Sequence, residues 1–139
     1  MTMRVAVVFF PGRSRDKLMS LAKALGRGIE KQGNHVDVFD GVQDSNVKLT
    51  IYQYLVVATE AVGTFGGKIP DTVKTFLSGA GAVAGKKSYA FIPKATFGAA
   101  KSLAALMRCM EGEGMVLKNS DIVRSAVEAE EIGKRLHVS

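Results

Sequence analysis

Three short segments hold the residues with the greatest chemical reach. In the first, Pro11-Gly-Arg-Ser-Arg-Asp-Lys17, a hydroxyl and three cations stand directly ahead of a helical pattern. A helix N-terminus presents free backbone N–H groups and the positive end of the helix dipole, so an anion is stabilised there. Ser14 adds a hydroxyl donor, while Arg13, Arg15 and Lys17 add charge; Gly12 and Asp16 complete the segment. It reads either as a phosphate site or as an N-cap with exposed basic residues. The second segment, Thr59-Glu-Ala-Val-Gly-Thr-Phe-Gly-Gly67, sets small residues around one aromatic, Phe65. The third, Pro93-Lys-Ala-Thr-Phe-Gly98, also carries one aromatic, Phe97. Two loops that each offer an aromatic beside glycine can sandwich a planar ring, and the glycines let the backbone reach the ring edge. The residues on offer are Thr59, Glu60, Ala61, Gly63, Thr64, Phe65 and Gly66 in the one loop, and Pro93, Lys94, Ala95, Thr96, Phe97 and Gly98 in the other. The alternative is that each phenylalanine anchors its loop to the core.

These segments must be held by regular elements, and the periodicity supplies them. Arg4 to Phe10 is a β-branched and aromatic run stopped by Pro11-Gly12, a buried strand. Leu18, Leu21, Ala22, Leu25 and Ile29 recur every three or four residues, one apolar face of a helix. Ser14 stands at its start, and Gln32-Gly33-Asn34 ends it. His35 to Phe39 alternates as a second strand. Asp40 to Leu49 is polar and irregular, with room for a short helix. Tyr52 to Ala58 is a third strand. Pro70 suits the first turn of a helix whose buried face is Val73, Phe76 and Leu77. A glycine-rich connector, Ser78 to Lys87, leads to a fourth strand, Ser88 to Ile92, broken by Pro93. Leu103, Leu106, Met107 and Met110 mark the next helix, with the methionines as core packing. Met115 to Leu117 opens a fifth strand region, and Ala129, Ile132 and Leu136 line a last helix. Strict alternation of strands and helices predicts a parallel sheet with helices on both faces. The expected architecture is α/β: a three-layer, doubly wound, five-stranded parallel sheet in one domain spanning residues 1–139. In such sheets ligands bind beyond the carboxyl ends of the strands, where the strand order reverses, and the three segments leave those ends.

Composition narrows the partners. With 139 residues and 47% apolar content, the chain can bury a core without a staple. Its one cysteine, Cys109, forbids an internal disulfide and reads as a buried, inert thiol on a helix. The apolar start is too short for a signal peptide, and no run approaches the ~20 residues of a membrane span, which points to the cytoplasm. The net charge of +6 favours anionic ligands or acidic proteins. The basic residues are dispersed, which speaks against a nucleic-acid track.

Other phosphate and metal motifs fail on spacing. Gly81-Ala-Val-Ala-Gly-Lys-Lys-Ser88 has one residue too few between its glycines, and it precedes a strand where a P-loop follows one. No G-x-G-x-x-G follows the first strand. A phosphoacceptor receiver needs acidic residues after the first strand and an Asp ending the third; Pro11-Gly12 and Thr59 stand there. His35, a strand-edge residue, and His137, in the terminal tail, have no metal-ligand spacing.

The order of elements and the loop positions resemble short-chain flavodoxins and related flavodoxin-like proteins over nearly the whole chain. The best local matches are Val5 to Phe10 before the first helix, and Tyr54 to Thr59 followed by Gly63-Thr-Phe-Gly-Gly-Lys-Ile-Pro70; Phe76-Leu77 and Lys86 to Ile92 are also similar. The resemblance implies FMN as cofactor and electron transfer as function, with the first loop on the phosphate and the other two around the isoalloxazine ring. For such a carrier the net charge of +6 points to an acidic redox protein as partner. Lys94 then falls where the family places the pyrimidine side of the ring. The chain departs from the family in its first loop, where the Ser/Thr-rich T-x-T-G-x-T style is reduced to Ser14, and in its basic charge. A flavodoxin-fold module without flavin, serving binding or assembly, is the alternative.

Overall fold

The computed structural model describes residues 2–62, 66–95 and 97–139. Its elements run β1 (Arg4–Phe10), α1 (Arg15–Glu30), β2 (His35–Asp40), β3 (Tyr54–Thr59), α2 (Thr72–Ser78), β4 (Lys87–Pro93), α3 (Ala99–Gly112), β5 (Val116–Val123) and α4 (Ala126–Arg135). The five strands form one sheet in the order β2-β1-β3-β4-β5, and every neighbouring pair is parallel. The chain leaves β1 toward β2 in one direction and builds β3, β4 and β5 in the other. The order therefore reverses between β1 and β3, and their carboxyl ends border a crevice.

The layering follows from the two-residue period of a strand. Val5, Val7 and Phe9 of β1, Tyr54, Val56 and Ala58 of β3, and Tyr89 and Phe91 of β4 share one face with α1 and α4. Ala6, Val8, Phe10, Leu55, Val57, Ala90 and Ile92 face the opposite way, onto α2 and α3. The central strands are buried on both sides, which is why they read as unbroken apolar runs. The helical spacing in α1 holds in full: Leu18, Leu21, Ala22, Leu25 and Ile29 are all buried. Each such leucine or isoleucine contributes about 1.5–3 kcal/mol relative to exposure. Helices α1 and α4 cross in backbone contact. A Cβ built on Gly28 would lie 2.7 Å from Lys134 N and 2.8 Å from Gly133 Cα.

Four local expectations change. The polar stretch after β2 holds turns and no helix, because side chains claim the backbone donors. Asp40 Oδ1 accepts the N–H groups of Val42 (2.8 Å) and Gln43 (3.1 Å), and Asp44 Oδ2 accepts that of Asp40. Strand β4 runs through Pro93 instead of stopping before it. Proline is tolerated at this last position, and Lys94 N–H continues the pairing to Val123 O at 2.9 Å. Pro70 stands just outside α2, whose N-cap is Asp71. The tail is packed, since Leu136 and Val138 are buried on either side of exposed His137, and Gln32 donates to the carbonyls of Gly133 and Leu136. Among the described residues no helix is long and apolar enough to cross a membrane.

Candidate functional site

The β1–α1, β3–α2 and β4–α3 loops meet at the carboxyl end of the sheet, as the spacing predicts. Ser14, Lys17, Glu60, Ala61, Pro93, Lys94 and Ala95 line a cavity of about 140 Å³ there. Each of the three predicted segments contributes to it. A wider and shallower depression of about 620 Å³ lies on the other side of the second loop, bounded by Val62, residues 67–71 and Ala105.

The first loop runs from the end of β1 at Phe10 to the start of α1 at Arg15. Ser14 occupies the N-cap position, but its side chain makes no capping hydrogen bond. Its backbone N–H donates to Glu60 Oε2 at 3.0 Å. A Cβ built on Gly12 would lie 3.1 Å from the same oxygen, so the carboxylate packs closely against the turn. The other oxygen, Oε1, is buried and has no hydrogen-bond partner among the described residues. Glu60, the first residue beyond β3, was expected at the ring edge. It instead reaches across to the first loop and supplies the negative charge that a helix N-terminus favours.

Arg15 is directed away from this point. Its Nε donates to Asp40 Oδ2 at 2.8 Å, its Nη2 reaches Gln43, and its guanidinium lies 5.9 Å from the centre of the Phe9 ring. Asp40 is only 4% exposed. Burial opposes its charge, yet hydrogen bonds from Gln43 N–H, Arg15 and Val42 N–H outweigh that and hold its carboxyl below the usual value of 3.8. Asp40 was not foreseen in this role. Its only sequence signal is a carboxylate closing the second strand. Arg13, Asp16 and Lys17 are exposed, and Lys17 is the cation of this segment that borders the cavity.

In the second loop Thr59 is fully buried, and its hydroxyl donates to Phe10 O (3.1 Å) and lies 3.2 Å from Glu60 O, so it is committed to the backbone. Gly63, Thr64 and Phe65 lie outside the described residues, as does Thr96 in the third loop. Gly66, at φ +76°, packs on the third loop: a Cβ there would stand 2.7 Å from Gly98 O. Gly67 N–H donates to Ser102 Oγ at 3.0 Å, which fastens the second loop to α3. Lys94 and Ala95 are exposed at the cavity, and Gly98 caps α3 at φ +73°. Phe97 is 71% exposed. It does not anchor its loop to the core.

These residues do not fit the phosphate of FMN in the first loop. The carboxylate of Glu60 holds one of the backbone N–H groups that a phosphate oxygen would take, and it would set a second negative charge against the ester. The Arg15 guanidinium is spent on Asp40, and Thr59 offers no free hydroxyl.

No family model matches the chain, and a sequence comparison with curated proteins finds no match. Solved structures do match in shape. A flavodoxin from the domain Archaea has a TM-score of 0.71 at 20% identity, covering 95% of this chain and 94% of that one. Oxidised flavodoxin 1 from Bacillus cereus has a TM-score of 0.69 at 17% identity, covering 96% and 99%. The two-electron reduced flavodoxin of Megasphaera elsdenii has a TM-score of 0.66 at 19% identity, covering 94% and 96%. With the strand order β2-β1-β3-β4-β5 and helices on both faces, the chain has the flavodoxin-like fold.

Proposed function

We propose that this chain binds a flat heteroaromatic ligand of the flavin type in the crevice between its first and third loops, and that it acts as an electron carrier. The observation that carries the reading is Phe97: a phenylalanine 71% exposed on the third loop, two residues beyond the cavity-lining Ala95. An apolar ring left in solvent at the sheet end where this fold class binds ligands is a ready stacking surface. The likeness to solved flavodoxins supports the same ligand chemistry. FMN is the flavin that the resemblance implies. A bound flavin supplies the electron transfer itself. The chain's own part is to stack the ring, to exclude water with Pro93 and Ala61, and to set positive charge beside it with Lys94 and Lys17. The net charge of +6 suits an acidic redox partner.

A second reading, a flavin-free binding module, is favoured by the contact of Gly66 with Gly98 and by the 140 Å³ cavity. Ligand pockets commonly span about 300–1,000 Å³, so a flavin requires these loops to part. Titration with FMN and with riboflavin, followed by flavin fluorescence, decides between the two. The first reading expects saturable quenching by at least one of them. It also expects Phe97→Ala to weaken binding about two- to tenfold, the worth of an aromatic contact of ~0.5–1.5 kcal/mol. Absence of binding by either flavin refutes it.

A further inference from the structure

We infer that Glu60 is the specificity-determining residue of this crevice: its carboxylate keeps phosphate out of the first loop, so the ligand taken is a neutral, hydroxyl-bearing ring compound and not its phosphate ester. The inference rests on the flavin-type reading above and names the class of flavin.

Three observations converge on it. Glu60 Oε2 accepts the Ser14 N–H at 3.0 Å, so one backbone donor of the turn is already satisfied by an anion belonging to the chain. That oxygen lies 3.1 Å from the Cβ position of Gly12, which puts the carboxylate against the turn. Oε1 of Glu60, a residue of the cavity lining, is buried without a donor among the described residues. An acceptor in that state gains from a ligand hydroxyl and loses from a second anion. The remaining local charges do not reverse this. Arg15 is held by Asp40, and Arg13 is exposed on the loop. Lys17 and Lys94 border the cavity and are exposed, so solvent screens them. The hydroxyl of Thr59 is turned to Phe10 O, which leaves Ser14 as the one side-chain hydroxyl lining the cavity among the described residues.

The test compares riboflavin with FMN on the full chain, in wild type, Glu60→Gln and Glu60→Ala. Glutamine removes the charge at constant shape, and alanine empties the turn. Wild type is expected to bind riboflavin at least as tightly as FMN. Glu60→Ala is expected to raise FMN affinity about tenfold or more, with Glu60→Gln between, while riboflavin affinity does not rise. A parallel NMR titration of the Ser14 amide with inorganic phosphate reads the turn without any flavin. The expected result is a saturable shift in Glu60→Ala and none in wild type. FMN binding wild type about tenfold tighter than riboflavin overturns the inference and leaves the flavin reading standing. An equal phosphate response in wild type and Glu60→Ala, or no response in either, also overturns it. Failure of both flavins on every variant refutes the flavin reading and with it the assigned ligand class. A phosphate shift confined to Glu60→Ala then still establishes that Glu60 guards the turn.

Discussion

Gly133→Ala sets helix propensity against packing at the crossing of α1 and α4, and the two predict opposite signs. Gly133 lies inside α4, where alanine is favoured over glycine by about 0.5–1 kcal/mol. Propensity alone therefore predicts a gain. The structure predicts a loss. A Cβ on Gly133 would stand 3.0 Å from both Gly28 Cα and Ile29 N, and nearer still to the carbonyl oxygen of Leu25. These are backbone atoms of the last two turns of α1 and cannot rotate away. Restoring ordinary contact requires the helices to part by roughly 1 Å, which loosens the apolar contacts across the crossing. Leu25, Ile29, Ala129 and Leu136 all belong to that cluster. Overpacking of a tight core costs about 1–3 kcal/mol, occasionally more. With the obstacle a backbone carbonyl, the upper end applies, and the net effect after the propensity gain is about 2 kcal/mol of destabilisation. For a chain of this length that lowers the thermal midpoint by about 7 °C. Urea unfolding followed by circular dichroism measures it, with Gly112→Ala as control. Gly112 ends α3 with nothing within 4 Å of its Cβ position, so alanine there is neutral or slightly stabilising. A Gly133→Ala midpoint equal to or above wild type refutes the backbone-contact reasoning.

Two further predictions concern titration. Asp40 is held below its usual value of 3.8, so its stabilising contribution is full above that pH and is lost as pH falls through the lower folded value. Asp40→Asn should accordingly cost about 1–3 kcal/mol at pH 7, mostly through the hydrogen bonds to the buried carboxylate and less through half-exposed Arg15. The gap from wild type should close on acidification below about pH 4, which pH-dependent urea unfolding reports; a constant gap would remove the argument. Burial pushes the Cys109 thiol above its usual value, with Glu113 acting in the same direction. Alkylation of native protein by iodoacetamide at pH 7 should be much slower than that of unfolded chain, and equal rates would contradict it.

The unbroken apolar runs of β1 and β3 and the three-to-four spacing of α1 dictated the architecture, because a strand apolar throughout must be covered on both faces and a helix buries the face its spacing marks. Gly28 and Gly133, by contrast, sit about a hundred residues apart, and neither carries any local sign that two helices meet there. The same distinction runs through the candidate site. Glycine and small residues after β1, β3 and β4 marked where the chain would leave the sheet, and the order of elements placed those exits together. The fate of each charged side chain was decided in three dimensions. Arg15 reads as a phosphate ligand by its neighbours in sequence, yet the parallel pairing of Phe9 with Asp40 brings that carboxylate to it and the pair closes. Glu60 reads as part of a ring-binding loop, yet the parallel pairing of Phe10 with Thr59 brings it beside Ser14. Sequence by itself determined the period of each element, and hence the layers and the end of the sheet where a ligand would sit. Only the tertiary structure decided which carboxylate meets which donor, because a hydrogen bond depends on ångström distances between segments 25 and 46 residues apart, which no local pattern encodes.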